Sequence, residues 1–493
     1  MTTASPIRLH FDLPVTEVTR ARITYAFRVF AAIYNYRVVD DGANQETRIV
    51  LYGGPASTSD GPNSLRVPAR YAPRPQNGPT ISPSKVRFAG EDFYLFHGLD
   101  PATGRPDWLG EIFEWLSSSH ERDITVRDSV GRIPDSELIF HRAGVPTWKP
   151  QAALQMAWLE HSLRKTGSEE ALPKAPSPVS EAEHLVICSH DVDFYFTNRR
   201  SALLRLIKNL GISWLIYQSA SYFSSNFRMI GKLLGGERVG DYLPPLLARM
   251  EQIGCRSTFF VVAVHHHRRD PNYALAEIAA QIKDAANRGF SVELHGSYTS
   301  IIEKRALNDE AQDLQRLTEK KTLGSRQHWG RFDEQEKLFQ AIEEAGLSFD
   351  SSLGFLDTVG FRNGACFAFP PYDFKNEEPY NFLEIPMAIM DGSLVELSRT
   401  SGVDPQILAE RVLNESRRRG WGGISILWHN PVETLSVPRE INQVFWKCAE
   451  DRQEFHERWV STDQFLAMSL PRYQNAGLLK QIRIDTEAPV IGG

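Results

Sequence analysis

The stretch Leu185-Val-Ile-Cys-Ser-His190-Asp191-Val192-Asp193 decides how this chain reads. An apolar run of four residues, 185–188, has the length and composition of a buried parallel strand, and it stops at two carboxylates. Alternate residues of an extended chain face the same way, so Asp191 and Asp193 share one face while His190 and Val192 point oppositely. Downstream the pattern becomes regular: short β-branched runs alternate with longer helical segments, as parallel βα units require. Strands are expected at 185–188, 257–264, 290–294, 324–327, 347–350, 382–386, 424–428 and 459–461. The expected fold class is therefore α/β, with a distorted parallel (β/α) barrel of about seven or eight strands.

Upstream the sequence is different. The Pro-, Ala-, Ser- and Glu-rich stretch at 166–183 reads as a linker. Before it, helices are expected at 21–36 and 109–116 and a short strand at 48–52, with a proline-rich loop at 68–83. The expected organisation is a smaller mixed α/β domain over 1–165, the linker 166–183, the barrel over 184–473, and a loosely ordered tail over 474–493.

Composition sets outer bounds. With 493 residues, 42% of them apolar and 24% charged, the chain has the make-up of a globular protein of two or three domains at roughly 150 residues each. A net charge of −6 gives no general attraction to nucleic acid, and no nucleic-acid partner is expected. Cys188, Cys255, Cys366 and Cys448 are widely spaced and suggest a reducing compartment rather than a disulfide framework. With no cationic leader at the start, cytoplasm is the expected location. One local patch departs from the average: residues 199–236 hold six basic residues (Arg199, Arg200, Arg205, Lys208, Arg228, Lys232) and no acidic one. The aromatics Trp214, Tyr217, Tyr222, Phe223 and Phe227 are interleaved with them. Peripheral contact with an anionic membrane, contact with sugar rings, or a helical cover over the barrel mouth are the readings it allows.

In a parallel barrel, reacting groups come from the C-terminal ends of the strands. Those ends are where this sequence gathers its polar residues. Asp191 and Asp193 end the first strand, His295 precedes Gly296 at the end of the third, Arg326 and His328 share a face at the end of the fourth, and His429 ends the seventh. A carboxylate and imidazoles on one rim suit a divalent metal, and a second carboxylate there can act as a general base.

These segments, in this order, resemble the motifs of the polysaccharide deacetylase family. The resemblance implies Asp191 as base, Asp193 and His295 as metal ligands, Arg326 as the brace of the base, and His429 as general acid. The 350–355 stretch with 360–362 resembles a further motif of the family, and Trp329, Asp350 and Trp428 are the expected substrate-binding residues. The family pattern places a second histidine four residues after His295, where this chain has Thr299. His328 is the expected replacement ligand because it shares its strand face with Arg326; His190 and the triplet His265-His266-His267 are poorer choices. The implied function is metal-dependent hydrolysis of a non-peptide carbon–nitrogen bond, N-deacetylation of an acetamido sugar, with zinc as the expected metal. A hydrolase of a small non-carbohydrate amide and a metal-free, glycan- or partner-binding barrel are the alternatives.

Overall fold

The computed structural model describes residues 4–482, apart from 41–46, 55–62, 75–81, 89, 165–171, 179–182, 197–198, 216–219, 238, 266, 304–305, 333–334 and 433–436. Its N-terminal part is built on four parallel strands, β1 (Pro6–Phe11), β2 (Arg37–Val38), β3 (Arg48–Tyr52) and β4 (Ser64–Val67), in the order β2-β1-β3-β4. An antiparallel hairpin, β5 (Ser84–Phe88) and β6 (Glu91–Leu95), follows. Of these six strands the sequence pattern announced only β3. The expected helix at 21–36 is Glu17–Ile33: the Thr16 side chain accepts from the Thr19 amide and starts it early. Tyr34 and Tyr36 continue the apolar pattern beyond its end because they are buried in the same core.

All eight expected strands of the second part form, joined by one more. They are β7 (His184–Asp191), β8 (Thr258–Val261), β9 (Ser291–Gly296), β10 (Gly324–Gln327), β11 (Phe349–Asp350) and, after a small antiparallel pair β12 (Tyr372–Asp373) and β13 (Glu378–Pro379), β14 (Leu383–Glu384), β15 (Met387–Met390), β16 (Gly422–Leu427) and β17 (Glu457–Val460). The sheet order is β14-β11-β10-β9-β8-β7-β16-β15, all parallel. β17 pairs with the first half of β7 and β8 with its second half. The two ends of this order are successive pieces of one chain segment: β14 pairs with β11, and two residues later β15 pairs with β16. Ile385 N donates to Asp350 O and Ser425 N to Pro386 O across that junction, so the segment 385–386 joins the two ends of the curled sheet. Every residue of β7 is buried, as befits a strand covered by the barrel interior on one side and by helices on the other.

One continuous set of buried apolar side chains runs from Ile7 to Leu479, across the boundary expected near 166–183. Of the expected linker, residues 166–171 and 179–182 lie outside the described residues, and Ala175 between them is buried. Polar contacts reinforce the junction: Arg22 pairs with Glu377 at 2.6 Å, Arg362 with Glu121 at 2.8 Å, and the Asp135 carboxylate accepts from the Asp357 amide at 2.7 Å. Of the expected tail, Leu478 and Leu479 are buried, and residues 483–493 lie outside the described residues.

Gly422 shows how tightly β16 is fitted. Its φ is 86°, and a Cβ there would lie 2.0 Å from the Leu185 carbonyl oxygen, a backbone atom that cannot step aside. Gly402, also at positive φ, has open space around it. We expect Gly422→Ala to lower unfolding free energy in urea by about 2–4 kcal/mol and Gly402→Ala by about 1 kcal/mol or less. Equal losses in the two variants would show that φ alone, and not contact with β7, sets the cost.

Candidate metal centre and active site

The interior of the barrel is polar at one level. Ser189, Asp191 and Asp193 follow the alternation of β7 inward, while His190 faces outward between Phe259 and Phe445, with its Nδ1 2.7 Å from Trp428 O. Burial drives His190 down to about 4, so it is neutral. Arg326, from β10, lies buried across the same level. Its Nε donates to Ser351 O (3.0 Å), Nη1 to Ser189 Oγ (3.0 Å) and Asp191 Oδ1 (2.8 Å), and Nη2 to Ser351 Oγ (3.0 Å) and Ser425 Oγ (2.8 Å). The guanidinium plane also covers the Phe260 ring at 4.2 Å. A fixed planar fork with every edge engaged leaves Asp191 one orientation.

Beyond this level, Asp193, His295 and His328 converge, with their ligand atoms all within 4.8 Å of one another. Asp193 Oδ1 is 3.3 Å from His295 Nε2 and 3.4 Å from His328 Nδ1, and the two nitrogens are 3.0 Å apart. The other nitrogen of each ring faces a backbone carbonyl: His295 Nδ1 is 2.9 Å from Arg326 O, and His328 Nε2 is 2.8 Å from Arg269 O. A carbonyl can only accept, so both of those nitrogens carry protons. In the neutral tautomers, the lone pairs of His295 Nε2 and His328 Nδ1 then point at the same place as Asp193 Oδ1, which is buried and receives no hydrogen bond. Three electron-rich atoms aimed at one point repel one another unless positive charge lies between them. Their arrangement and chemistry fit a divalent cation, with the two carbonyls fixing the imidazole tautomers. Positive charge facing Asp193, whether on the rings or on a cation, favours its carboxylate. Burial alone would raise the Asp193 carboxyl, but the facing rings of His328, His295 and His429 hold it well below the usual carboxylate range. Burial would also lower His328, and Asp193 raises it instead.

His429 follows β16 and presents Nε2 3.3 Å from Asp193 Oδ2. Its Nδ1 lies 2.7 Å from Asp391 Oδ1, and its amide donates to Asp391 Oδ2 at 3.0 Å. Burial opposes the charged ring, yet Asp391 and Asp193 hold His429 well above its ordinary value. Sequence reasoning missed Asp391. The signal was present, since Met387–Met390 is an apolar strand that ends in a carboxylate as β7 does, but the strand follows β14 after two residues and its helix begins at Asp391 itself.

The remaining expected positions divide. Trp329 stands at the mouth, 43% exposed and at φ 68°, with Nε1 donating to Arg269 O at 3.1 Å and its ring 5.3 Å from that of His328. Asp350 is not at the mouth. It is buried among Ser325 Oγ (3.0 Å), the Ser352 amide (2.8 Å) and Glu384, and it has no surface left for a ligand; burial raises both carboxyls, and the charge of Asp350 raises Glu384 further. Trp428 is likewise corrected: alternation along β16 turns Ser425 inward and Trp428 outward, where it packs on Phe445. Thr299 is outside the metal-ligand set found among the described residues. His265 is exposed beside Pro271 O, His267 stacks on Tyr298, and His266 lies outside the described residues. The N-terminal part also reaches this rim, which the sequence did not indicate: Arg132 Nη1 donates to Trp329 O (2.8 Å), and Ser129 O accepts from Arg269 Nη2 (2.8 Å).

No protein-family profile and no curated protein sequence matches the chain. Solved structures do align with it. A Mycobacterium smegmatis protein described as a polysaccharide deacetylase aligns at 15% identity and a TM-score of 0.38, over 64% of this chain and 99% of that one. The polysaccharide deacetylase Bc1974 from Bacillus cereus aligns at 11% identity and 0.28, over 57% and 91%. A CE4 family pseudoenzyme from Bacillus anthracis aligns at 12% and 0.29, over 61% and 72%. TM-scores of this size transfer no function to this chain, and the side chains of the site must carry the functional reading.

The His429–Asp391 pair gives a direct check. Asp391→Asn keeps a hydrogen-bond acceptor but removes the charge that favours the imidazolium. In an amide-hydrolysis assay the expected loss in kcat is about 10²–10⁴, with metal content unchanged. Unaltered kcat would remove His429 from proton transfer, and lost metal would show that Asp391 acts through Asp193.

Proposed function

We propose that the chain is a metal-dependent hydrolase of a non-peptide carbon–nitrogen bond that removes the acetyl group from an acetamido sugar. The observation that supports this best is the convergence of Asp193 Oδ1, His295 Nε2 and His328 Nδ1 beside a second, separately held carboxylate, Asp191. Those three atoms would hold the divalent ion, and zinc suits one carboxylate and two imidazoles. When bound, the ion supplies Lewis acidity toward the amide carbonyl and the attacking water.

The protein's own groups account for the proton movements. Asp191 is anchored through Oδ1 on Arg326, which leaves Oδ2, 3.8 Å from His295 Nε2, to take a proton from water. The water oxygen bonds to the carbonyl carbon. His429, kept protonated by Asp391, gives its Nε2 proton to the amide nitrogen, the C–N bond breaks, and the amine and acetic acid leave. Arg326 moves no proton; it holds Asp191 in one orientation. The exposed indole of Trp329 beside His328 offers a flat apolar surface of the kind that packs against a sugar ring.

Metal analysis of freshly purified protein, with deacetylation assays on N-acetylglucosamine oligomers and on small amides, tests this. We expect about one metal ion per chain and activity that a chelator abolishes. Asp193→Ala, His295→Ala and His328→Ala should each lose metal and turnover, whereas Asp191→Asn should keep metal and lose about 10²–10⁴ in kcat. Full activity without metal would overturn the mechanism. Turnover of small amides alone would overturn the sugar assignment, and absence of both metal and turnover would leave a binding barrel.

A further inference from the structure

The basic segment at 199–236 takes no part in this chemistry. It forms two helices, Arg199–Leu215 and Ala220–Leu234, that pack on each other between β7 and β8. Their buried side chains include Ala202, Leu206, Asn209 and Ser213 from the first and Tyr222, Asn226 and Leu233 from the second. Asn209 Nδ2 donates to Asn226 Oδ1 at 3.1 Å, and Asn226 Nδ2 to Tyr222 O at 2.8 Å. A helix with only water outside buries its apolar stripe and exposes polar residues. Here amides and a hydroxyl are inside while Leu204, Ile207, Leu215, Phe223, Phe227 and Leu234 are outside, with Leu215 77%, Phe227 65% and Leu234 67% exposed.

These six are half of the twelve large apolar side chains that stand exposed among the described residues, so the pattern is concentrated in this pair. It is also ordered. At about 100° per residue, Arg200, Leu204, Ile207, Lys208, Gly211 and Leu215 fall within an arc of about 100°, with Ala202, Leu206, Asn209 and Ser213 opposite. In the second helix Phe223, Phe227 and Leu234 share one flank, and the exposed Arg228 and Lys232 occupy the next. A Cβ at Gly211 or Gly231 would meet nothing within 4 Å. Tyr217 lies outside the described residues.

We propose that this helical pair is a docking element for an anionic lipid bilayer, with its apolar stripes in the interfacial layer and its arginines and lysines against the headgroup phosphates. Charge selects this occupant. The stretch 199–236 has six cations and no anion. Arg199 donates to Leu234 O and Lys232 pairs with Glu237 at 3.4 Å. The exposed Arg200, Lys208 and Arg228 complement an anionic surface, whereas a second copy of the chain would bring the same positive face against itself. No helix among the described residues is long and apolar enough to cross a membrane, so the pair lies in the interface rather than spanning it. The element begins six residues after Asp193, and Arg205 stacks 3.9 Å over the ring of Phe194. Docking therefore sets the bilayer beside the mouth of the barrel.

The full-length protein should co-sediment with vesicles of phosphatidylcholine and phosphatidylglycerol at low salt, and more weakly as salt rises or the anionic lipid is left out. Two variants probe the two forces: Leu204→Ser/Leu215→Ser/Phe227→Ser, and Arg200→Gln/Lys208→Gln/Arg228→Gln/Lys232→Gln. Each should bind more than about tenfold less tightly with unchanged thermal unfolding, since all the side chains are exposed. The proposal is overturned if the wild-type protein fails to sediment with anionic vesicles at low salt, or if the apolar variant binds as well as wild type. It is also overturned if light scattering finds a wild-type dimer that the apolar variant converts to monomer, because the stripe would then be a protein interface.

Discussion

The whole arrangement turns on a guanidinium with almost no water around it. Arg326 is 2% exposed at the centre of the barrel, and its bonding partners come from the ends of β7, β11 and β16, with the Phe260 ring of β8 beneath it. Removing the partner of a buried charge costs about 3–5 kcal/mol, so once Arg326 is inside, the serines and Asp191 have little freedom to be elsewhere. The same residue acts twice. Its side chain fixes the direction of Asp191, and its carbonyl oxygen fixes which nitrogen of His295 carries the proton. The prospective base and one prospective ligand therefore take their orientations from a single residue.

The second ligand depends on a different loop. The Arg269 carbonyl receives both His328 Nε2 and Trp329 Nε1, so it sets the tautomer of the histidine and the place of the exposed indole together. Arg269 in turn donates to Ser129 O, and Arg132 to Trp329 O. This gives the N-terminal part a physical role at the rim. The 129–132 turn helps to hold the loop on which His328 and Trp329 depend. The shared apolar core explains how such a contact can be firm: a rigid neighbour is needed to position a loop to within a few tenths of an ångström.

Much of this was legible because strand ends carry a simple code. An apolar run stops, and the residue that should face inward at the next position is Asp, His or Arg; Asp193, His295, Arg326, His328 and His429 are brought together as that code implies. It failed where its terms were violated. Asp391 sits where strand passes into helix with no loop, so no polar segment marks the end of β15. Asp350 and Trp428 also lie at strand ends, but Asp350 shares its buried space with Glu384, and alternation turns Trp428 toward Phe445. The N-terminal sheet was mostly illegible because β2 and β4 are only two and four residues long and β1 mixes polar with apolar side chains, so no period stands out.

The position of the basic helical pair follows from the same barrel physics. A βα loop at the C-terminal rim can be lengthened with little penalty, because closure entropy grows only slowly with loop length and the strands on either side stay paired. The insertion between β7 and β8 uses that tolerance, and it keeps a small buried cluster of its own, Phe196, Ala202, Leu206, Leu233 and Val239, separate from the main core. A pair so lightly anchored can leave apolar side chains outward without unravelling the barrel. The main core does not need them, and their cost in water is set by the solvent or surface they meet. Because β7 ends at Asp191, two residues before Asp193, the insertion follows the prospective base and ligand directly in the chain.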